Sequence, residues 1–130
     1  MQALKGKVLI VEDNPVNLKL AKILIQSRFP DLNLLEAFNG MEAVEKYQSE
    51  LPDLILMDVQ MPVMHGLDAT RAIRNIEKKT GRHVPVVALT ASVMQEDFSE
   101  CKDSGMDDFV NKPFDKEYLF QTIEKWLKTK

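Results

Sequence analysis

The sequence predicts an α/β fold with a doubly wound parallel sheet that carries helices on both faces. Short apolar segments alternate along the chain with longer segments of helical periodicity, five times in order. Alternation of this kind is typical of parallel sheets with right-handed crossovers. The length of 130 residues, with 45% hydrophobic and 28% charged residues, suits one globular domain with a substantial core.

Five segments have the length and composition of buried strands. The first is continuous and β-branched, as expected for a strand that is buried on both faces. Pro85 lies near the start of the fourth, where its missing N–H matters least. The predicted strands are Val8–Val11, Leu32–Ala37, Asp53–Met57, Val84–Leu89 and Asp108–Val110.

Apolar residues at helical spacing follow each predicted strand. Asn14 and Pro15 suit the cap and first turn of the first helix. Asn39 with Glu42, and Ser92 with Gln95, have the spacing of capping pairs. The positions that predict the five helices are Val16, Leu20, Ile23 and Leu24; Ala43, Val44 and Tyr47; Leu67, Thr70 and Ile73; Met94, Phe98 and Cys101; and Leu119, Ile123 and Leu127.

Composition argues against several classes of protein. The net charge of −3 gives no electrostatic reason to expect nucleic-acid binding. Cys101 is the single cysteine, so a reducing compartment is expected. No apolar run has the length of a membrane span, and Met1–Lys5 lacks the apolar core of a signal peptide. We therefore expect one cytoplasmic domain over residues 1–130, with no output domain and no membrane contact.

Charged and hydroxyl side chains follow the predicted strands, where parallel sheets bind their ligands. Glu12 and Asp13 follow the first strand, Asp58 the third, Thr90 the fourth and Lys112 the fifth. Three carboxylates at one edge repel each other, and a hard cation such as Mg²⁺ relieves that repulsion. A metal, a lysine and a hydroxyl around an aspartate suit phosphoryl transfer through an aspartyl phosphate.

The ordered motifs resemble the receiver domain of two-component response regulators, over about Lys7 to Lys128. This resemblance implies a flavodoxin-like fold with strand order 2-1-3-4-5. The run Gly66 to Arg71 is similar to receivers of hybrid sensor histidine kinases. The motifs are Glu12-Asp13, Asp58 within MDVQMPVMHG, Leu89-Thr90-Ala91, and Phe109 followed by Lys112-Pro113.

The resemblance implies that Asp58 accepts phosphate from a phosphohistidine. Asp13 and Asp58 would bind Mg²⁺, or Mn²⁺ in its place, directly. Glu12 would act through water, and the carbonyl of Gln60 would complete the protein ligands. The partner would be a histidine kinase or a histidine phosphotransfer domain. The protein would catalyse only its own phosphorylation and dephosphorylation.

Further residues are implied in switching. Thr90 would bind the phosphoryl group, Lys112 would pair with it, and Phe109 would swing inward. Gln60 and Ser92 fall where the family tunes self-dephosphorylation. The surface of the fourth helix, fifth strand and fifth helix would change, and the resemblance admits a homodimer through it.

The sequence supports three other functions less well. A Mg²⁺-dependent phosphohydrolase would also use an aspartate nucleophile, but commonly carries a second aspartate where this chain has Gln60. A nucleotide-binding module would need a glycine-rich phosphate loop, which the sequence lacks. A phosphate-independent adaptor would be expected to have lost site residues.

Some residues carry secondary expectations. His65 stands where the family most often has aspartate, which bears on partner choice and loop stability. Phe120 and Trp126 are candidates for an exposed partner surface on the last helix. The basic residues of the third helix are interpreted as a solvated face; they are Arg71, Arg74, Lys78 and Lys79.

Overall fold

A computed structural model describes residues 4–59, 66–90, 99, 102–111 and 115–128. Five parallel strands form one sheet in the order β2-β1-β3-β4-β5, which confirms the predicted fold. The elements are β1 (Gly6–Val11), α1 (Pro15–Arg28), β2 (Leu32–Ala37), α2 (Gly40–Glu50), β3 (Leu54–Asp58), α3 (Gly66–Thr80), β4 (Val86–Thr90), β5 (Asp108–Asn111) and the C-terminal helix (Lys116–Lys128).

Alternate residues of the strands feed two separate cores. In β3, Ile55 and Met57 pack with α2 and α3, whereas Leu54 and Leu56 pack with α1 and the C-terminal helix. All four of these side chains are buried, as expected for a central parallel strand. The helices therefore cover both faces of the sheet, as predicted.

Element boundaries differ from the predicted ones by a residue or two. β3 begins at Leu54 and includes Asp58. Asp53 instead accepts a hydrogen bond from the backbone amide of Lys7 at 2.8 Å and fixes the amino edge of β1. β4 begins at Val86, after Pro85. Residues 102–104 are helical, but the positions that predict the fourth helix, Met94, Phe98 and Cys101, lie outside the described residues.

Three of the four apolar residues that predict α1 face solvent, while the fourth, Leu24, is partly buried against the core, as predicted. Val16, Leu20 and Ile23 are 65%, 60% and 56% exposed. The buried face is formed by other residues of the helix, Leu18, Ala21 and Ile25. α1 is thus apolar on two sides, and the sheet covers one of them.

Two aromatic residues of the C-terminal helix are not the exposed partner surface that the sequence suggested. Phe120 is buried and packs edge-on against Phe29, with ring centroids 5.7 Å apart. Trp126 is partly buried and donates a hydrogen bond to the carboxylate of Asp108 at 3.0 Å. Tyr118 is the more exposed aromatic on this helix, at 44%.

A buried carboxylate joins α2 to α3. Glu77 is 4% exposed and accepts hydrogen bonds from the Tyr47 hydroxyl at 2.9 Å and the Val84 amide at 2.7 Å. Burial and the neighbouring carboxylate raise the pKa of Tyr47 to about 12.

Within the described residues, no helix combines the length and apolar character needed to cross a bilayer.

We predict that Tyr47→Phe lowers the free energy of unfolding by about 2 kcal/mol, because Glu77 loses a buried donor. The matched variant Tyr118→Phe should change it little, since the Tyr118 hydroxyl is exposed and its hydrogen bond is long at 3.4 Å. Urea unfolding of both variants measures the difference.

The same pair predicts a pH dependence. Unfolded tyrosine ionises near its ordinary pKa of 10.0, and folded Tyr47 only near 12, so the contribution is constant below pH 10 and is lost as the pH rises to 12. The stability gap between the wild type and Tyr47→Phe should therefore shrink over this range. A gap that grew with pH would contradict the assignment.

Candidate functional site

Two acidic residues are held where β1 ends and α1 begins. The backbone amide of Glu12 donates to the carbonyl of Ala37 at 3.0 Å, which ties this turn to the end of β2. Asn14 then caps α1 by accepting two amides of the first turn. Glu12 is 4% exposed and Asp13 is exposed. Both carboxylates therefore lie beside a helix N-terminus, whose partial positive charge favours anions.

Asp58 is the last residue of β3 and is 6% exposed. It pairs with Leu89 of β4, and the next amide, that of Val59, donates to the Leu89 carbonyl at 3.2 Å. The amide of Gly66, the first residue of α3, donates to the Val59 carbonyl at 3.0 Å. Backbone bonds on both sides thus fix Asp58 at the carboxyl edge of the sheet.

Gly66 packs against the backbone of Asp58 more closely than a side chain would allow. A Cβ at this position would lie 2.3 Å from the Asp58 carbonyl oxygen and 3.0 Å from the Cα of Val59. These are backbone atoms that cannot rotate away. The close approach of Gly66 to β3 joins residues that the sequence analysis did not connect, and it became visible only from the three-dimensional contact.

The three carboxylates that the sequence predicted to meet do lie together. Glu12, Asp13 and Asp58 each offer an oxygen, and these oxygens lie within 4.8 Å of one another. The donor set contains only carboxylate oxygens, which suits a hard divalent cation such as Mg²⁺. Because the neighbouring charges would otherwise repel, the cluster fits the metal in chemistry as well as in spacing.

Other predicted site residues are placed only in part. Thr90 ends β4 and its backbone pairs with Asn111 of β5, so this position shares the edge with Asp58. Phe109 lies opposite Ala88, two positions before that pair, and is partly buried against the α2 and α3 core. The remaining predicted residues, Gln60, Ser92 and Lys112, lie outside the described residues, as does His65.

A second feature beside the acids was missed in the sequence. The exposed stripe of Val16, Leu20 and Ile23 begins three residues after Asp13, and its last residue, Ile23, lines a groove of about 410 Å³. The groove lies between α1 and the end of β2, and Phe38 lines its far side. Two interleaved apolar stripes on one helix would have been the signal, because a surface helix needs only one.

Curated relatives contain this chain as a small part. It is 42% identical over 127 residues to hybrid signal transduction histidine kinase I of Dictyostelium discoideum, which covers 94% of this chain and 7% of that protein. It is 42% identical over 121 residues to the sensor protein GacS of Pseudomonas syringae, covering 92% of this chain and 13% of that protein. The chain therefore spans well under a fifth of these relatives.

Solved structures of high similarity are receiver domains. One, from a sensor histidine kinase of Pseudomonas aeruginosa, has magnesium in its active-site cleft; it is 35% identical with a TM-score of 0.84, over 95% of this chain and 98% of that one. Another is the receiver domain of a Saccharomyces cerevisiae response regulator, co-crystallised with a histidine phosphotransfer protein.

The yeast match is 34% identical with a TM-score of 0.89, over 98% of this chain and 92% of that one. The sequence profile of the response regulator receiver domain matches residues 8–124. Together with the acidic cluster at the predicted strand ends, these matches show that the chain belongs to the family of response regulator receiver domains.

Proposed function

We propose that Asp58 accepts a phosphoryl group from a phosphohistidine in a Mg²⁺-dependent reaction of two-component signalling. The observation that carries this proposal is the meeting of Glu12, Asp13 and Asp58 within 4.8 Å at the carboxyl edge of the sheet. A carboxylate oxygen of Asp58 attacks phosphorus, the P–N bond breaks, and the imidazole leaves after taking up a proton. The receiver is a substrate and switch, and catalyses only its own phosphorylation and dephosphorylation.

The acidic cluster would hold the metal through Asp13 and Asp58 directly, through Glu12 by way of water, and through the Gln60 carbonyl. Mg²⁺, or Mn²⁺ in its place, would neutralise charge on the transferred phosphoryl oxygens. The near-complete burial of Glu12 and Asp58 supports these roles, because buried carboxylates need a compensating charge. The close packing of Gly66 on the backbone of Asp58 would keep Asp58 in position for the attack.

Switching would follow from the strands next to β3. Thr90 would move to the phosphoryl group and Lys112 would pair with it, while Gln60 and Ser92 would set the rate of dephosphorylation. Phe109 supports a switch role because its carbonyl accepts a long hydrogen bond of 3.4 Å from the hydroxyl of Tyr118. Movement of Phe109 would therefore change the position of Tyr118 on the exposed side of the C-terminal helix, where output partners or a second copy would bind.

The exposed stripe of α1 is proposed as the docking surface for a histidine phosphotransfer domain or the equivalent part of a histidine kinase. Exposed side chains at positions i, i+4 and i+7 form one apolar face about 10 Å long, next to the acids. Such a surface can receive an amphipathic helix of a partner. Because the stripe lies close to the acids, a phosphohistidine on the partner helix would be brought to the carboxylate of Asp58. We expect this transfer to take place in the cytoplasm.

The phosphohydrolase alternative is not favoured. The family and the similar proteins are receivers of signalling kinases and response regulators. The position two residues after Asp58 is Gln60, which cannot act as the general acid of such an enzyme.

Asp58→Asn should abolish labelling by a radioactive acyl phosphate in the presence of Mg²⁺, because the amide is not a nucleophile for phosphorus. The matched variant Asp68→Asn, which alters an exposed carboxylate paired with Arg71, should be labelled like the wild type. Circular dichroism of both variants checks that the fold is kept. Labelling of Asp58→Asn at the wild-type level would refute the proposed acceptor.

Gly66→Ala should weaken Mg²⁺ binding on the order of tenfold, because its Cβ would displace the backbone of Asp58. Gly81→Ala is the matched control. It places a side chain at a positive φ of +78°, which strains the backbone, but its Cβ would meet no atom within 4 Å. The control should lose about 1 kcal/mol of stability without a change in Mg²⁺ affinity. Titration calorimetry decides, and equal Mg²⁺ affinities for the wild type and Gly66→Ala would count against the contact.

Leu20→Lys should slow phosphotransfer from a phosphorylated histidine phosphotransfer domain by about tenfold, because it places a charge in the centre of the apolar stripe. Labelling by the acyl phosphate should stay unchanged, since that small donor needs no docking. Leu51→Lys, at an exposed leucine at the end of α2, is the control and should transfer normally. Equal slowing with both donors would place the defect in the site rather than in docking.

A further inference from the structure

Arg74 is not part of a solvated basic face, as the sequence suggested, but lies in a cluster at the amino edge of the sheet. Its side chain is 14% exposed, and those of Glu77 and Asp107 are 4% and 17% exposed. The guanidinium donates to the carbonyls of Gly105 at 2.9 Å and Val84 at 2.8 Å, and to the carboxylates of Glu77 at 2.5 Å and Asp107 at 2.8 Å. One side chain thus joins α3 to the segments before β4 and β5.

The fork of the guanidinium suits this set of acceptors. Its donors point in fixed directions, and a lysine ammonium at the same place could not reach two carbonyls and two carboxylates at once. The segment before β5 is shaped for it, since Gly105 has a φ of +107° and a Cβ there would lie 2.7 Å from the Cγ of Arg74. We define Arg74, Glu77, Gly105 and Asp107 as the α3–β5 clamp.

Asp107 carries the clamp into the sheet. One oxygen of its carboxylate receives Arg74 and also the amide of Val86 at 2.9 Å, while its own amide donates to the Val86 carbonyl at 2.8 Å. The other oxygen lies 2.8 Å from Nε2 of His83. Side chain and backbone together pin the residue before β5 to the first residue of β4.

The strand that follows is short, and the clamp adds to its ladder with β4 and to the contacts of Asp108 and Phe109 with the C-terminal helix in fixing its register. β5 has four residues, lies at the edge of the sheet and pairs only with β4. A slip of one residue would turn Phe109 to the opposite face and shift the end of the strand by about 3.3 Å. Lys112, directly after β5 in the sequence, would shift with it. The register of β5 at the amino edge therefore determines which residues the strand places at the carboxyl edge.

We propose that Arg74 and Asp107 are positioning residues, which pin the register of β5 at the amino edge and thereby set where Phe109 and Lys112 act at the carboxyl edge. The inference rests on the proposed function of the Asp58 site, to which it adds the residues that align its cationic partner. The proposed metal ligands lie just after β1 and at the end of β3, at the opposite edge of the sheet from the clamp. The clamp should therefore affect recognition of the phosphoryl group and leave metal binding alone.

The test variant is Arg74→Lys, which keeps the positive charge between two carboxylates and so avoids the large cost of an unpaired buried charge. Asp107→Asn is the second variant, because it removes the charge but keeps an oxygen for the Val86 amide. Arg71→Lys on the same helix is the control, since Arg71 is exposed and forms an ion pair with Asp68, one turn away on the same helix. NMR titrations follow Mg²⁺ alone, and then beryllofluoride at saturating Mg²⁺.

For both clamp variants, the dissociation constant of Mg²⁺ should stay within about twofold of the wild type, while that of beryllofluoride rises about tenfold. Arg71→Lys should change neither. A lower melting temperature with wild-type affinities would show that the clamp only stabilises the fold, and would overturn the inference. Equal weakening of both ligands would overturn it too, because it would mean a general loss of structure.

Failure of the underlying function gives a different result. If wild-type protein does not bind beryllofluoride in Mg²⁺, or if Lys112→Ala binds it normally, the proposed role of the Asp58 site or of Lys112 is wrong, and the inference falls with it. If Lys112→Ala weakens beryllofluoride but the clamp variants do not, only the inference is overturned.

Discussion

The mutual repulsion of Glu12, Asp13 and Asp58 is the constraint on which the rest of the site depends. Their oxygens lie within 4.8 Å, well inside the distance over which physiological salt screens charges. Unopposed, this repulsion would push the ends of β1 and β3 apart. The structure resists it with backbone bonds from Glu12 to β2 and from Val59 to β4, and with the N-terminus of α1. The scaffold therefore holds the acids close together. A cation that binds between them relieves their repulsion, and this relief contributes to its binding free energy.

The two edges of the sheet solve opposite electrostatic problems. The carboxyl edge brings three carboxylates together, and under the proposed function a cation bound there would attract the phosphoryl group. The amino edge gathers charge of both signs and satisfies it internally, with Arg74 between two carboxylates and Glu77 receiving Tyr47 as well. Such buried ion pairs add little net stability but are costly to break in part. Their value here is geometric, because they fix strands whose other ends must meet the acids.

Much of the fold and site could be predicted because the signals are local. Continuous apolar runs marked the strands, Asn14 and Asn39 marked helix starts, and the rule that ligands lie beyond parallel strands brought three acids together. Contacts between distant residues were not readable. Arg74 looks like its neighbour Arg71 in sequence, and its bonds to Val84, Gly105 and Asp107, between 10 and 33 residues away, distinguish them. Likewise, periodicity shows that α1 has apolar faces but not which of them the sheet covers.

α1 explains how recognition and chemistry could be joined without a separate domain. Asn14 follows Asp13 directly and fixes the first turn, so the direction of the helix is set by the same residues that set the acids. The exposed stripe thereby keeps a constant relation to Asp58, whatever partner covers it. Leaving three large apolar side chains in water promotes unwanted association, a cost that a surface without a partner would not need to bear. Because the stripe begins three residues after Asp13, its burial by a partner and the proposed phosphoryl transfer to Asp58 can occur in one encounter.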